Sequence, residues 1–129
     1  MSSTMKAAVV TQFGKPLEVK QIPIPKPGPK EILVRIAYTG ICGTDHHAWK
    51  GDWPVKPTLP FTPGPEGVGR IVAAGAEVQH VKAGDLVGIP WLYSACGARE
   101  SCYSGWESLG SEPKNACSRV YVPLAASFS

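Results

Sequence analysis

The chain has 129 residues and a net charge of +3, and 43% of its residues are hydrophobic. That length suits one domain with a core of its own, and the hydrophobic share excludes a disordered chain. The basic residues are scattered, so no cluster marks a nucleic-acid partner, and no stretch is apolar for long enough to span a membrane.

Fourteen glycines and 13 prolines favour short strands joined by turns over long helices. After a polar start at Met1 to Thr4, the apolar run Met5 to Val10 is too short for the core of a signal peptide and reads as a strand. The chain is therefore expected to be cytoplasmic, with Cys42, Cys96, Cys102 and Cys117 reduced; a Cys96–Cys102 disulfide is the alternative. Lys6 to Thr11 and Leu17 to Ile22, separated by the turn Phe13-Gly14-Lys15-Pro16, predict a hairpin-like pair of strands. Pro23, Pro25, Pro27 and Pro29 allow neither helix nor central strand, and their alternate spacing predicts a rigid connector.

Glu31 to Thr39 is the clearest strand. Ile32, Val34, Ile36 and Tyr38 alternate with Leu33, Arg35 and Ala37, and both sets are mostly apolar, which predicts a central strand. Gly40 lets the chain turn out of it. Thr44 is expected to cap a short helix through Lys50, ended by Gly51, with Thr44 and His47 on one face. After the proline-rich loop Pro54 to Pro65, Glu66 to Gly75 resumes strand character. Gly67 and Gly69 there suit close backbone approach, not a nucleotide fingerprint, because no helix and no third glycine follow in register. A turn at Ala83-Gly84-Asp85 leads into the strand Asp85 to Pro90. Tyr93 to Lys114 reads as loop and Val120 to Leu124 as a last strand. The expected fold is mainly β: a partly open barrel of short strands with one short helix, and a single domain over residues 1–129.

The chemistry gathers in Gly40-Ile41-Cys42-Gly43-Thr44-Asp45-His46-His47-Ala48-Trp49-Lys50-Gly51-Asp52-Trp53-Pro54. Cys42 can ligate a metal as thiolate, and Thr44 and His47 can pass a proton. Singly, each has a plainer reading: a buried cysteine, a helix cap, core aromatics. Together, a metal, a proton path and aromatic walls serve hydride abstraction from an alcohol.

Five motifs then carry a resemblance, in order: Gly40-Ile41-Cys42-Gly43-Thr44-Asp45, Gly51-Asp52-Trp53-Pro54, Gly64-Pro65-Glu66-Gly67-Val68-Gly69, Gly84-Asp85-Leu86-Val87-Gly88 and Trp91-Leu92-Tyr93-Ser94-Ala95-Cys96-Gly97. From Lys6 to Asn115 the chain resembles the N-terminal, GroES-like catalytic domain of the zinc-dependent medium-chain alcohol dehydrogenases. The resemblance implies a catalytic zinc ligand at Cys42, a hydrogen bond from Thr44 to the substrate oxygen, and proton carriage to solvent by His47. It implies that Trp53 and Trp91 narrow the pocket to small primary alcohols, as in microbial ethanol-type enzymes. It also implies that zinc and NAD(P) are the cofactors, an alcohol or aldehyde the ligand, and His46 a surface residue.

The same resemblance exposes departures. Pro65 stands where the family has a zinc-ligating histidine; Glu66 is kept and can approach a metal as carboxylate. Cys96 and Cys102 stand at two of four structural zinc positions, with Arg99 and Gly110 at the others, and Cys117 has no counterpart. No Rossmann motif is present, and residues 116–129 diverge as a tail. The expectation is an alcohol dehydrogenase-like domain with incomplete catalytic-type (Cys42) and structural-type (Cys96, Cys102) metal sites, inactive as this isolated chain. It would bind neither a stoichiometric zinc nor NAD(P). Two alternatives follow from the same residues. One is a non-catalytic β-barrel remnant or interaction module that pairs with a full-length relative; the other is a weakly metal-binding, thiol-reactive protein.

Overall fold

In the computed structural model, which describes residues 4–54, 56–94, 98, 100–105 and 114–115, the chain opens with the predicted hairpin. β1 (Thr4–Val9) runs antiparallel to β2 (Glu18–Pro23), with Thr4 opposite Pro23 and Val9 opposite Glu18. Ala7, Ala8 and Val9 of β1 are buried, whereas β2 is exposed apart from the half-buried Ile22. The first strand stops earlier than its apolar run because Val10 changes partner. Its N–H donates to the Phe61 carbonyl at 2.8 Å, and the Phe61 N–H donates back to Val10 at 3.2 Å. The proline connector forms neither strand nor helix over residues 24–31. It closes on a turn in which the Gly28 N–H donates to Glu31 Oε2 at 2.8 Å.

The second sheet has three antiparallel strands in the order β3 (Ile32–Thr39), β4 (Gly67–Ala74), β5 (Leu86–Ile89). This corrects the expectation for β3, which lies at an edge; β4 is the central strand. Two register shifts, between Leu33 and Val34 and between Ile36 and Tyr38, break the even alternation of β3. Ile36 is therefore buried while Tyr38 is 80% exposed. In β4 the alternation is kept: Gly67, Gly69 and Ile71 are buried, and Val68, Arg70 and Val72 are exposed. A Cβ at Gly69 would strike the carbonyl of Arg35, so the two backbones meet more closely than any larger residue would permit. The turn into β5 is held by Asp85, whose Oδ2 accepts the Lys82 N–H at 2.9 Å.

α1 (Gly43–Lys50) is the single helix of two turns. Gly51 stops it in the left-handed conformation, at φ 67°, and donates its N–H to the carbonyls of His47 and Ala48. A Cβ on Gly51 would lie 2.6 Å from the Phe13 ring, so packing and backbone angle both favour glycine there. The stretch predicted as loop contains short elements: β6 (Leu92–Ser94) pairs with β7 (Lys114–Asn115), and α2 (Glu100–Tyr103) makes one turn. They are too short to produce a periodic signal. The expected strand Val120 to Leu124 lies outside the described residues. Among the described residues the strands form three sheets and no closed barrel, and no helix is long and apolar enough to cross a membrane.

The core cluster sits where β1, α1 and the proline-rich loop meet. Val10 and Ala48 are fully buried and Phe61 is 7% exposed; Phe13, Trp49 and Leu59 pack around them. Burying side chains of this kind contributes roughly 1.5–3 kcal/mol each. Phe61→Ala should therefore lower the free energy of unfolding by about 3 kcal/mol, read from urea denaturation followed by tryptophan fluorescence. An unchanged midpoint would show that this cluster does not hold the helix to the sheet.

Candidate functional site

The helix start places the site. Cys42 is extended (φ −126°, ψ −179°) and Gly43 is the first helical residue, so Cys42, not Thr44, is the N-cap. Asp45, three residues on, explains the shift: its Oδ2 accepts the Cys42 N–H at 2.8 Å, as the acidic residue of a capping box does. Thr44 becomes the second helical residue and is half-buried. Asp45 is 6% exposed, and its Oδ1 is buried without a hydrogen-bond partner. An unpaired buried oxygen of this kind is costly and uncommon.

His47 lies one turn further along, exposed on the same face as Thr44. Its Nδ1 is 2.8 Å from Asp52 Oδ1. The Trp53 ring stacks on it, with centroids 6.2 Å apart and planes 21° apart. His46 is exposed, its ring 5.7 Å from Trp49, and the Trp49 indole N–H donates to the Lys15 carbonyl at 2.6 Å. Asp52 is the most perturbed group here. The hydrogen bond from His47 holds its carboxyl below the ordinary 3.8, and the charges of His47, Lys50 and His46 act in the same direction.

Glu66 reaches the site from the other side of the loop. Its carboxylate lies directly over Gly40, where a Cβ would collide with it, and its carbonyl accepts the Thr39 hydroxyl at 2.8 Å. It thus stands beside the segment that leads into Cys42. Pro65 is fully buried and fills space without offering a donor atom. Trp53 and Trp91 are both half-buried, Trp91 just beyond β5. Among the described residues no ring contact joins them; the ring partner of Trp53 is His47.

The structure therefore gathers Cys42, Thr44, His47 and Trp53 on one helix and its exit, brings Glu66 to its entrance, and leaves Trp91 at the end of a neighbouring strand. An open groove of about 650 Å³ lies next to this arrangement, lined by Tyr38, Gly40, Glu66, Val68, Ile89 and Pro90. It shares Glu66 with the site but none of Cys42, Thr44 or His47. Asp45 and Asp52 were not singled out from sequence. A cysteine hides a capping pattern that serine or threonine would announce. Asp52 lies five residues from His47, outside helical-face spacing, and returns to it only through the left-handed turn at Gly51.

A catalytic zinc ion takes three protein ligands and keeps one position open. Among the described residues no group of three or more His, Cys, Asp or Glu side chains could hold a metal ion, and buried Pro65 adds none. The described residues do not fit a zinc ion. Cys102 is half-buried on α2; Cys96, Arg99, Gly110 and Cys117 lie outside the described residues.

Comparison with known proteins follows the same lines. Residues 28–124 match the model of the alcohol dehydrogenase GroES-like domain. An alcohol dehydrogenase of Geobacillus stearothermophilus is 59% identical over 112 residues, which is 87% of this chain and 33% of that enzyme. Among solved structures, an NAD-dependent alcohol dehydrogenase superposes with a TM-score of 0.81 at 34% identity, over 88% of this chain and 34% of that one. A zinc-binding dehydrogenase of Sinorhizobium meliloti 1021 bound to NADP gives a TM-score of 0.77 at 33% identity, over 90% and 33%. The chain spans about a third of the length of these relatives.

The lowered pKa of Asp52 has a signed consequence. Its folded value lies below the unfolded one, so the contribution of the pair is complete above the ordinary 3.8 and is lost as pH falls through the lowered value. In thermal melts from about pH 6 to about pH 2, the gap in Tm between the parent and Asp52→Asn should shrink with acid. A gap that does not vary with pH would contradict the pairing.

Proposed function

The chain belongs to the alcohol dehydrogenase GroES-like domain family, and from that premise we propose that it is the alcohol-binding part of a zinc-dependent, NAD(P)-linked dehydrogenase for small primary alcohols, catalytically silent as these 129 residues. The observation that carries the first half is the single helix: Cys42 at its cap, Thr44 and His47 on one face, and Trp53 stacked on His47 at its exit. The observation that carries the second is the donor set, which falls short of a metal site among the described residues.

In this reading Thr44 hydrogen-bonds the alcohol oxygen and takes its proton, and exposed His47 passes that proton to water. Trp53 and Trp91 form apolar walls that leave room for a short carbon chain. Glu66, seated on Gly40, is the acidic group on the metal side, and Cys42 the thiol. The hydride acceptor is a nicotinamide dinucleotide, for which residues 1–129 supply no assigned contact. Cys96 and Cys102 are the remainder of a structural metal lobe. A cytoplasmic location accompanies this reading.

A second reading is favoured by the exposed apolar groove. With Tyr38 80% and Leu86 63% exposed, the chain acts as a non-catalytic module that docks on a full-length relative. Mixing it with such an enzyme and measuring mass by light scattering separates the two: a mixed species supports docking, and unchanged masses exclude it.

The metal argument has its own test. Pro65→His combined with Arg99→Cys and Gly110→Cys should raise the zinc bound per chain from well below one towards two, measured by elemental analysis of the purified protein. No gain over the parent would show that these positions are wrongly assigned. Stoichiometric zinc together with NAD-dependent ethanol turnover in the parent would overturn the claim of silence.

A further inference from the structure

We propose that Asp52 is a positioning residue for His47, its Oδ1 at 2.8 Å from Nδ1 holding the neutral imidazole as the Nδ1–H tautomer and reserving Nε2 as the proton acceptor. The inference rests on the reading of His47 as proton carrier and extends it to a residue outside that reading. An ionised carboxylate can only accept, so the neutral ring facing it must carry its proton on Nδ1. The second nitrogen then has a free lone pair, which is the state a proton carrier needs before each transfer. Geometry fixes the ring from three sides. Gly51 turns the chain back so that Asp52 meets the helix it has just left. Trp53 stacks on the imidazole at 21° and sets its plane. The His46 ring approaches edge-on at 5.9 Å. The other charges that bear on Asp52 are Lys50 and His46, both on α1, and neither takes the hydrogen bond.

The test is long-range ¹H–¹⁵N NMR on the ¹⁵N-labelled 129-residue chain at about pH 8, where an ordinary imidazole is neutral. His80, exposed and without a hydrogen-bond partner among the described residues, is the internal reference. His47 should be mainly Nδ1–H and His80 mainly Nε2–H. In Asp52→Ala the Nδ1–H to Nε2–H ratio of His47 should fall about fivefold, the upper end for an exposed pair, while the urea midpoint stays close to the parent's. A purely structural contact would move the midpoint and not the tautomer. The proposal is overturned if parent His47 matches His80, or if Asp52→Ala leaves its tautomer unchanged. Neither result touches the zinc and turnover measurements, so failure here and failure of the proposed function are told apart.

Discussion

The reciprocal hydrogen bonds between Val10 and Phe61 are the constraint on which the remaining architecture depends. They take the end of β1 away from its hairpin partner and fasten it to the proline-rich loop. Ala48, fully buried with these two residues, locks the helix into the same junction. A side chain larger than alanine would push α1 off the strand, and a missing ring at 61 would leave a void that the neighbours fill only in part. Every candidate side chain on α1 is therefore positioned by packing on its opposite face.

The two ends of that helix do different work. At the start, Asp45 satisfies the Cys42 N–H and fixes the direction in which the thiol leaves the backbone. The same carboxylate keeps one buried oxygen without a partner, a cost that the local packing carries. At the finish, Gly51 reverses the chain and delivers Asp52 and Trp53 to His47. Proton handling is thus built from short-range contacts within one turn and its exit. Metal holding needs donors from distant segments, and Pro65 withholds one of them. Loss at a single distant position removes the second property and spares the first.

What sequence could reveal follows the same division. The hairpin was legible because Leu17 to Ile22 alternates beside an apolar run, and the helix because Gly40 and Gly51 bracket it. The edge position of β3 was not, because alternation assumes an unbroken register and this strand shifts twice. The cap at Cys42 was hidden by residue type, and the meeting of His47 with Asp52 by a left-handed turn that helical spacing does not describe. The pairing of β6 with β7 joins residues separated by a long irregular stretch, where no local pattern specifies a partner. The readings made at Cys96, Arg99, Gly110, Cys117 and Val120 to Leu124 fall outside the described residues.

The bare backbone at Gly40 has an evolutionary corollary. Any side chain there would collide with the carboxylate of Glu66, so a lineage can enlarge residue 40 only after residue 66 has shortened or turned away. The two positions, twenty-six apart in the chain, are bound to change in a fixed order. Descendants that carry one substitution without the other should be rare.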